Sequence, residues 1–184
     1  ISSPKALDDA LIEMKKLLHA CYVYAEYEFE IGQDPEDQQF PSFWFFTQMA
    51  CQRALHIGLY SIFFTTNHDV TCSVPEVIKA AKNFEILNRI ELEKEAKNRF
   101  KIVLSEGLDD EPYSEKLFNE ISKIRPNQYN DEALRKIYEC RNKKFAHIEA
   151  GFNDELVLPS KDETLRLIKW VDDMIELIYA GYLP

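Results

Sequence analysis

The chain has 184 residues, 46% of them hydrophobic, and a formal net charge of -10. That length can bury one core in a single domain spanning 1–184. Its acidity excludes a protein that coats nucleic acid with its whole surface, because such binding needs clustered Lys and Arg to displace counterions, though a local basic patch stays compatible. Only five glycines are present, and the apolar residues recur at helical rather than alternating spacing, which predicts an all-α fold with twelve Phe and nine Tyr to fill the core. The four cysteines, Cys21, Cys51, Cys72 and Cys140, are far apart and form no CxxC pair. They are expected as small buried apolar residues in a reducing compartment, with neither a metal site nor a disulfide framework. No cleavable signal opens the chain, and no run of about twenty residues is uninterruptedly apolar, so a cytoplasmic protein without a membrane anchor is expected. The chain begins at Ile1 rather than Met, which fits removal of an upstream segment.

In chain order, Ser3 and Pro4 make a helix start. Behind them Leu7, Leu11, Met14, Leu18, Cys21 and Ala25 form one apolar stripe, with Asp8, Asp9, Glu13, Lys15 and Lys16 off it in water. Gly32 to Asp37 reads as a loop. From Phe40 to Phe64 the chain is apolar on nearly all sides, through Phe43, Trp44, Phe45, Phe46, Met49, Leu55, Ile57, Leu59, Ile62 and Phe63, as in a central core helix or a membrane span. Gln48, Gln52, Arg53 and His56 argue against the span, since charge and amides at mid-depth are costly in lipid. Steps of three and four bring these four residues close together. They form either the helix's solvent-facing edge or a polar seam turned toward a partner helix, a second subunit or the Arg141 region.

Asn67 to Ser73 reads as a turn, and Ser73, Pro75 and Glu76 start the next helix with cap, proline and acid in suitable places. Asn83 to Leu104 is rich in charge and predicts a more exposed helix anchored by Ile86, Ile90, Phe100 and Val103. Glu106 to Pro112 is an acidic loop, and Tyr113 to Ile124 a short helix that Pro126 ends. Asn130 and Asp131 open a further helix, with Gly151 just past its end. Ser160 and Glu163 form a capping-box pattern ahead of Leu167, Ile168, Val171, Met174, Ile175 and Ile178, another core face. There is no internal repeat and no low-complexity tract.

The chemistry-bearing stretch is Arg141-Asn142-Lys143-Lys144-Phe145-Ala146-His147, where a histidine, an arginine and two lysines fall within two helical turns. The apolar stripe Leu134, Ile137, Tyr138 passes through Arg141 on its way to Phe145 and Ile148. A guanidinium at such a position needs a carboxylate, backbone carbonyls or an anionic ligand, because an unpaired buried charge is expensive. A salt bridge to an acid of another helix is the plain structural explanation. His147 lies six positions on, so a straight helix turns it to roughly 120° from Arg141. The two meet only if the helix bends or ends, or if a second copy supplies the partner. Otherwise His147 is a histidine favoured by a helix C-terminus, or an ordinary surface one.

Arg141-Asn142-x4-His147 resembles the motif of the HEPN superfamily, named for higher-eukaryote and prokaryote nucleotide-binding domains. The fuller string RNKKFAHIE looks like the motif helix of its abortive-infection, toxin-like branch, where Arg-Asn/Asp-Lys and Ala-His-x-acid recur. The aromatic-rich helix from Phe40, the turn after it and the SVPEVIKAAK helix also look like that branch. The resemblance covers most of the chain in layout, and its specific part runs from Arg141 to Glu149. It implies an up-and-down all-α bundle of four to five long core helices with shorter ones, usually a homodimer whose two motifs face one cleft. Many members are metal-independent endoribonucleases acting as toxins or antiviral effectors. Others have lost catalysis and bind a protein, RNA or nucleotide, and that silent module is the alternative for this chain.

On the first reading RNA is the substrate, Arg141 and His147 are the active pair and no metal or cofactor takes part. RNA cleavage without a metal needs a base, an acid and positive charge near the phosphate. Asn142 would orient the phosphate or the imidazole, Lys143 and Lys144 would hold flanking phosphates, and a dimer would remove the rotation problem. A toxin role leaves room for an antitoxin protein as partner. Some members carry a tyrosine two places after the histidine as the target of a nucleotidyltransferase partner. Here that position is Glu149, and no such partner is inferred.

Overall fold

A computed structural model describes residues 1–31, 41–64, 73–104, 112–141 and 158–182. Among them the fold is all-α: three long helices, α1 (Pro4–Ile31), α2 (Pro41–Phe63) and α7 (Lys161–Tyr182), and four shorter ones, α3 (Val74–Asn83), α4 (Arg89–Phe100), α5 (Tyr113–Ile124) and α6 (Glu132–Cys140). No described helix is long and apolar enough to cross a membrane. The expected loop at Gly32 to Asp37, most of the turn before Ser73, the acidic loop after Glu106 and the C-terminal end expected before Gly151 all lie outside the described residues.

The caps explain why the helices begin where they do. Ser3 Oγ accepts from the Ala6 N–H at 3.1 Å, and the six-residue stripe of α1 behind it is buried throughout. At α7 the capping box is reciprocal: Ser160 Oγ accepts from the Glu163 N–H, while Glu163 Oε2 accepts from the Ser160 N–H at 2.7 Å. Ser73 behaves differently. It precedes α3 in an extended conformation, yet its hydroxyl makes no cap bond and is buried without a partner among the described residues. The start of α3 is set instead by the fixed φ of Pro75 and by Glu76 in the first turn.

The chain divides into two compact units. The first comprises residues 1–15, 64–125 and 170–184. In it α3 and α5 pack along one another through Val74, Val77, Ile78 and Ala81 on one side and Leu117, Phe118 and Ile121 on the other, all buried. The charged stretch after Asn83 is not one helix anchored by Ile86, Ile90, Phe100 and Val103. α4 starts at Arg89, where Asn88 accepts from the Glu91 N–H, and it buries Leu92 and Ala96, with Phe100 edge-on to Trp170. Ile90 and Val103 are 78% and 72% exposed. The stripe that wins is the one that Gly181 admits: a Cβ there would fall 2.6 Å from Leu92 Cδ1. The Gly181 carbonyl also accepts from the Leu87 and Asn88 N–H groups. The helix stops at Lys101 because that residue turns left-handed (φ 59), and the Lys101 and Ile102 N–H groups then close onto the Lys97 and Ala96 carbonyls.

The second unit comprises residues 16–63 and 126–169. α2 buries Leu55, His56, Leu59, Ile62 and Phe63, so it is a core helix as its composition suggests, but it is not buried all round. Phe46 is 68% exposed, and Met49 and Ile57 are also open to solvent. Phe43, Trp44 and Phe45 belong to α2, and their side chains lie outside the described ones. α2 approaches α1 closely at one point, where a Cβ on Gly58 would fall 2.6 Å from Cys21 Sγ. Cys21 and Cys140 are buried free thiols and Cys51 is half-buried, while Cys72 lies outside the described residues.

Two measurements check this account. Gly58→Ala gains about 1 kcal/mol of helix propensity but meets the Cys21 sulfur, and overpacking of a buried contact costs about 1–3 kcal/mol. Denaturant unfolding is expected to show net destabilisation, reversed in a Cys21→Ala background; a stabilised single variant would sink the contact. The second concerns Glu163, whose carboxyl is held below its ordinary pKa by the Ser160 N–H and then by Lys136. A carboxylate with a depressed folded pKa adds stability above its unfolded value, and that stability is lost as pH falls through the folded one. Glu163→Gln is therefore expected to lower stability at pH 7 by up to about 1 kcal/mol, with the gap closing below about pH 4. An equal gap at pH 3 would contradict the assignment.

Candidate functional site

α6 carries the first residue of the motif. Asp131 caps it, accepting from the Leu134 N–H at 3.1 Å, and the same carboxylate takes the Arg166 guanidinium through both oxygens at 2.8 and 3.0 Å. Lys136, one turn on, reaches both Glu163 oxygens at 3.0 and 3.1 Å. Both pairs tie α6 to the start of α7. On its inner side Ala133, Leu134, Ile137 and Cys140 are fully buried. Arg135, on the outer side, pairs with Glu132 and Glu139.

Arg141 follows at the C-cap with helical dihedrals, its N–H directed at the Ile137 and Tyr138 carbonyls. The side chain is half-buried, so the apolar-stripe position predicted for it leads to the margin of the core rather than into it. The Arg141 guanidinium lies over the Tyr60 ring, 4.8 Å from its centroid. Tyr60 in turn stacks on Tyr138, with centroids 6.1 Å apart and planes inclined by 29°. A ring holds a guanidinium by its face and contributes about 0.5–2 kcal/mol, more as the pair is desolvated. The N–H donors of a guanidinium lie in its plane, the geometry that clamps two oxygens of one phosphate.

The four polar residues of α2 do not share one environment. Gln48 and Gln52 are half-buried, Arg53 is exposed and His56 is 2% exposed. His56 Nδ1 lies 2.7 Å from the Gln52 carbonyl oxygen. A carbonyl only accepts, so Nδ1 carries the proton in that bond. His56 therefore belongs to the interior, not to a solvent-facing edge. Gln48, Gln52, His56 and Tyr60 follow one another in steps of four, drifting by about 40° per step around the helix, and the line ends under Arg141.

Tyr60 was not singled out by the sequence, although the four-residue step beyond His56 points to it. Asn142, Lys143, Lys144 and His147 lie outside the described residues. Among the described residues no group of three or more His, Cys, Asp and Glu is placed to hold a metal ion.

Comparison with curated proteins and with solved structures returned no match in either case. A family model, AbiU2 of the HEPN domains, matches residues 6–182, nearly the whole chain and the whole of the motif from Arg141 to His147. The chain therefore belongs to the abortive-infection branch of the HEPN superfamily, in the AbiU2 family.

Proposed function

We propose that the protein is a metal-independent endoribonuclease of the toxin or phage-defence type, cutting RNA at a site that two copies of the chain complete with Arg141 and His147. The observation that carries this reading is the seating of Arg141: the first residue of the family's motif is a half-buried guanidinium laid on an aromatic ring at the end of α6. In the reaction the 2'-oxygen loses its proton and bonds to phosphorus as the bond to the 5'-oxygen breaks. The products are a 2',3'-cyclic phosphate and a 5'-hydroxyl. His147 is the group that titrates near neutrality and moves the proton. Arg141 clamps two phosphate oxygens as negative charge builds on them. Asn142 orients the phosphate or the imidazole, and Lys143 and Lys144 hold flanking phosphates.

Six positions separate Arg141 from His147, roughly 120° apart on a continuous helix, so a second copy is the simplest source of the missing half. The outer face of α2 supports a place for it. Phe46, Met49 and Ile57 are exposed on one side of the helix, Arg53 lies among them, and Tyr60 sits at that side's margin, bearing Arg141. An apolar stripe left open on a helix marks a contact surface more often than chance. A toxin of this kind would act in the cytoplasm and be restrained by an antitoxin protein.

Incubation of the purified protein with RNA in EDTA is expected to give cleavage that His147→Ala and Arg141→Lys each reduce about 10²–10⁴-fold. Phe46→Glu with Ile57→Glu is expected to yield an inactive monomer by light scattering. Absent cleavage, or cleavage that survives His147→Ala, would overturn the mechanism; an active monomer would overturn the composite site. Tyr60 gives a finer check. Tyr60→Phe keeps the ring and should keep the rate, while Tyr60→Leu removes about 1 kcal/mol of guanidinium positioning and should lower kcat roughly fivefold with KM little changed. Equal rates for the two variants would show that the ring does not position Arg141.

A further inference from the structure

In a chain of net charge -10, many basic side chains meet carboxylates: Arg99 with Glu95 and Asp173, Lys15 with Glu176, Lys136 with Glu163, Arg166 with Asp131, Lys123 with Glu120. One hollow in the first unit has a different make-up. Between α3 and α5 lies a cavity of about 210 Å³ lined by Pro75, Ile78, Lys79, Lys82, Ser122 and Arg125. Three of its six lining residues are cationic and none is acidic. The acids of the two helices are Glu76, Glu115 and Glu120; Glu120 is paired with Lys123, and none of the three lines the hollow.

Lys82 is fixed by a neutral group. It donates from Nζ to Asn119 Oδ1 at 2.7 Å, a bond that holds the ammonium in place without cancelling its charge. Its own backbone carbonyl accepts from Ser114 Oγ, which ties the end of α3 to the start of α5. Arg125 directly follows α5 in extended backbone and is half-buried, and desolvation pushes its guanidinium below the usual arginine range. Pro75 and Ile78 supply an apolar wall. Ligand pockets for drug-sized molecules run from about 300 Å³ upward, so this one suits a single anionic group.

We propose that this hollow is a phosphate-binding site, with Lys79, Lys82 and Arg125 supplying the charge. The phosphate belongs either to an RNA backbone or to a small phosphate-bearing molecule. The RNA arm of the test rests on the function proposed above; the small-phosphate arm does not, so the two can fail separately.

The full chain is titrated with inorganic phosphate and, separately, with a fluorescent 2'-O-methyl oligonucleotide, whose blocked 2'-oxygen prevents cleavage. The measurements are repeated for Lys82→Gln with Arg125→Gln, and for Lys79→Gln, an exposed position whose change leaves packing alone. Thermal unfolding verifies that each variant is folded. For an RNA backbone, oligonucleotide binding should weaken about tenfold in the double variant, and the slope of log K against log salt should fall by about 0.7 for each phosphate that the variant no longer neutralises. Arg141→Ala should leave that increment in place. Loss of saturable inorganic phosphate binding with the oligonucleotide unaffected would assign the site to a small phosphate ligand. Folded variants that bind both probes like the parent chain would overturn the proposal.

Discussion

α6 has nine residues, fewer than an isolated helix needs to persist in water, so its position comes from what it is fastened to. Asp131 does two things at once: one carboxylate satisfies an orphan N–H at the start of the helix and receives the fork of Arg166. A turn later Lys136 meets Glu163, itself part of the box that starts α7. The beginning of α7 and the beginning of α6 are therefore one electrostatic arrangement. Four fully buried side chains then fix the rotation of α6, and that rotation decides where Arg141 emerges. Arg141 inherits its placement from a cap ten positions earlier.

The chain's acidity gives that placement its meaning. Exposed ion pairs contribute little to stability, a few tenths to about 1 kcal/mol each. Arg135 meets Glu132 and Glu139 on the surface of α6, and Arg141 lies over the Tyr60 ring. Aromatic support restrains a guanidinium through its face and adds no charge of its own.

Much of this was legible in the sequence, and what was legible shares a physical cause. Ser3, Asp131 and the Ser160–Glu163 pair mark helix starts because the side chain and the orphan N–H it satisfies are a few residues apart. Pro126 likewise ends α5 two residues after Ile124. The motif from Arg141 to His147 was legible as a family likeness because it is contiguous. What failed depended on the other side of a contact. Ile90 and Val103 look like anchors as well as Leu92 does, until Gly181 offers Leu92 a surface without a side chain. Ser73 has the composition of a cap and the backbone of one, but its hydroxyl faces the interior. Tyr60 is distant from the motif in sequence, and only the packing of α2 against α6 brings it under Arg141.

The contact between Cys21 and Gly58 also has a chemical side. Burial pushes the Cys21 thiol up to about 12, so almost none of it is thiolate at neutral pH. The thiolate is the reactive form, and a sulfur packed against a helix backbone has no approach for an oxidant or an alkylating reagent. In the folded chain Cys21 behaves as a sphere of the right radius, and it regains thiol chemistry only when α1 and α2 separate. Its modification rate, followed at that residue, is therefore a clock for that opening.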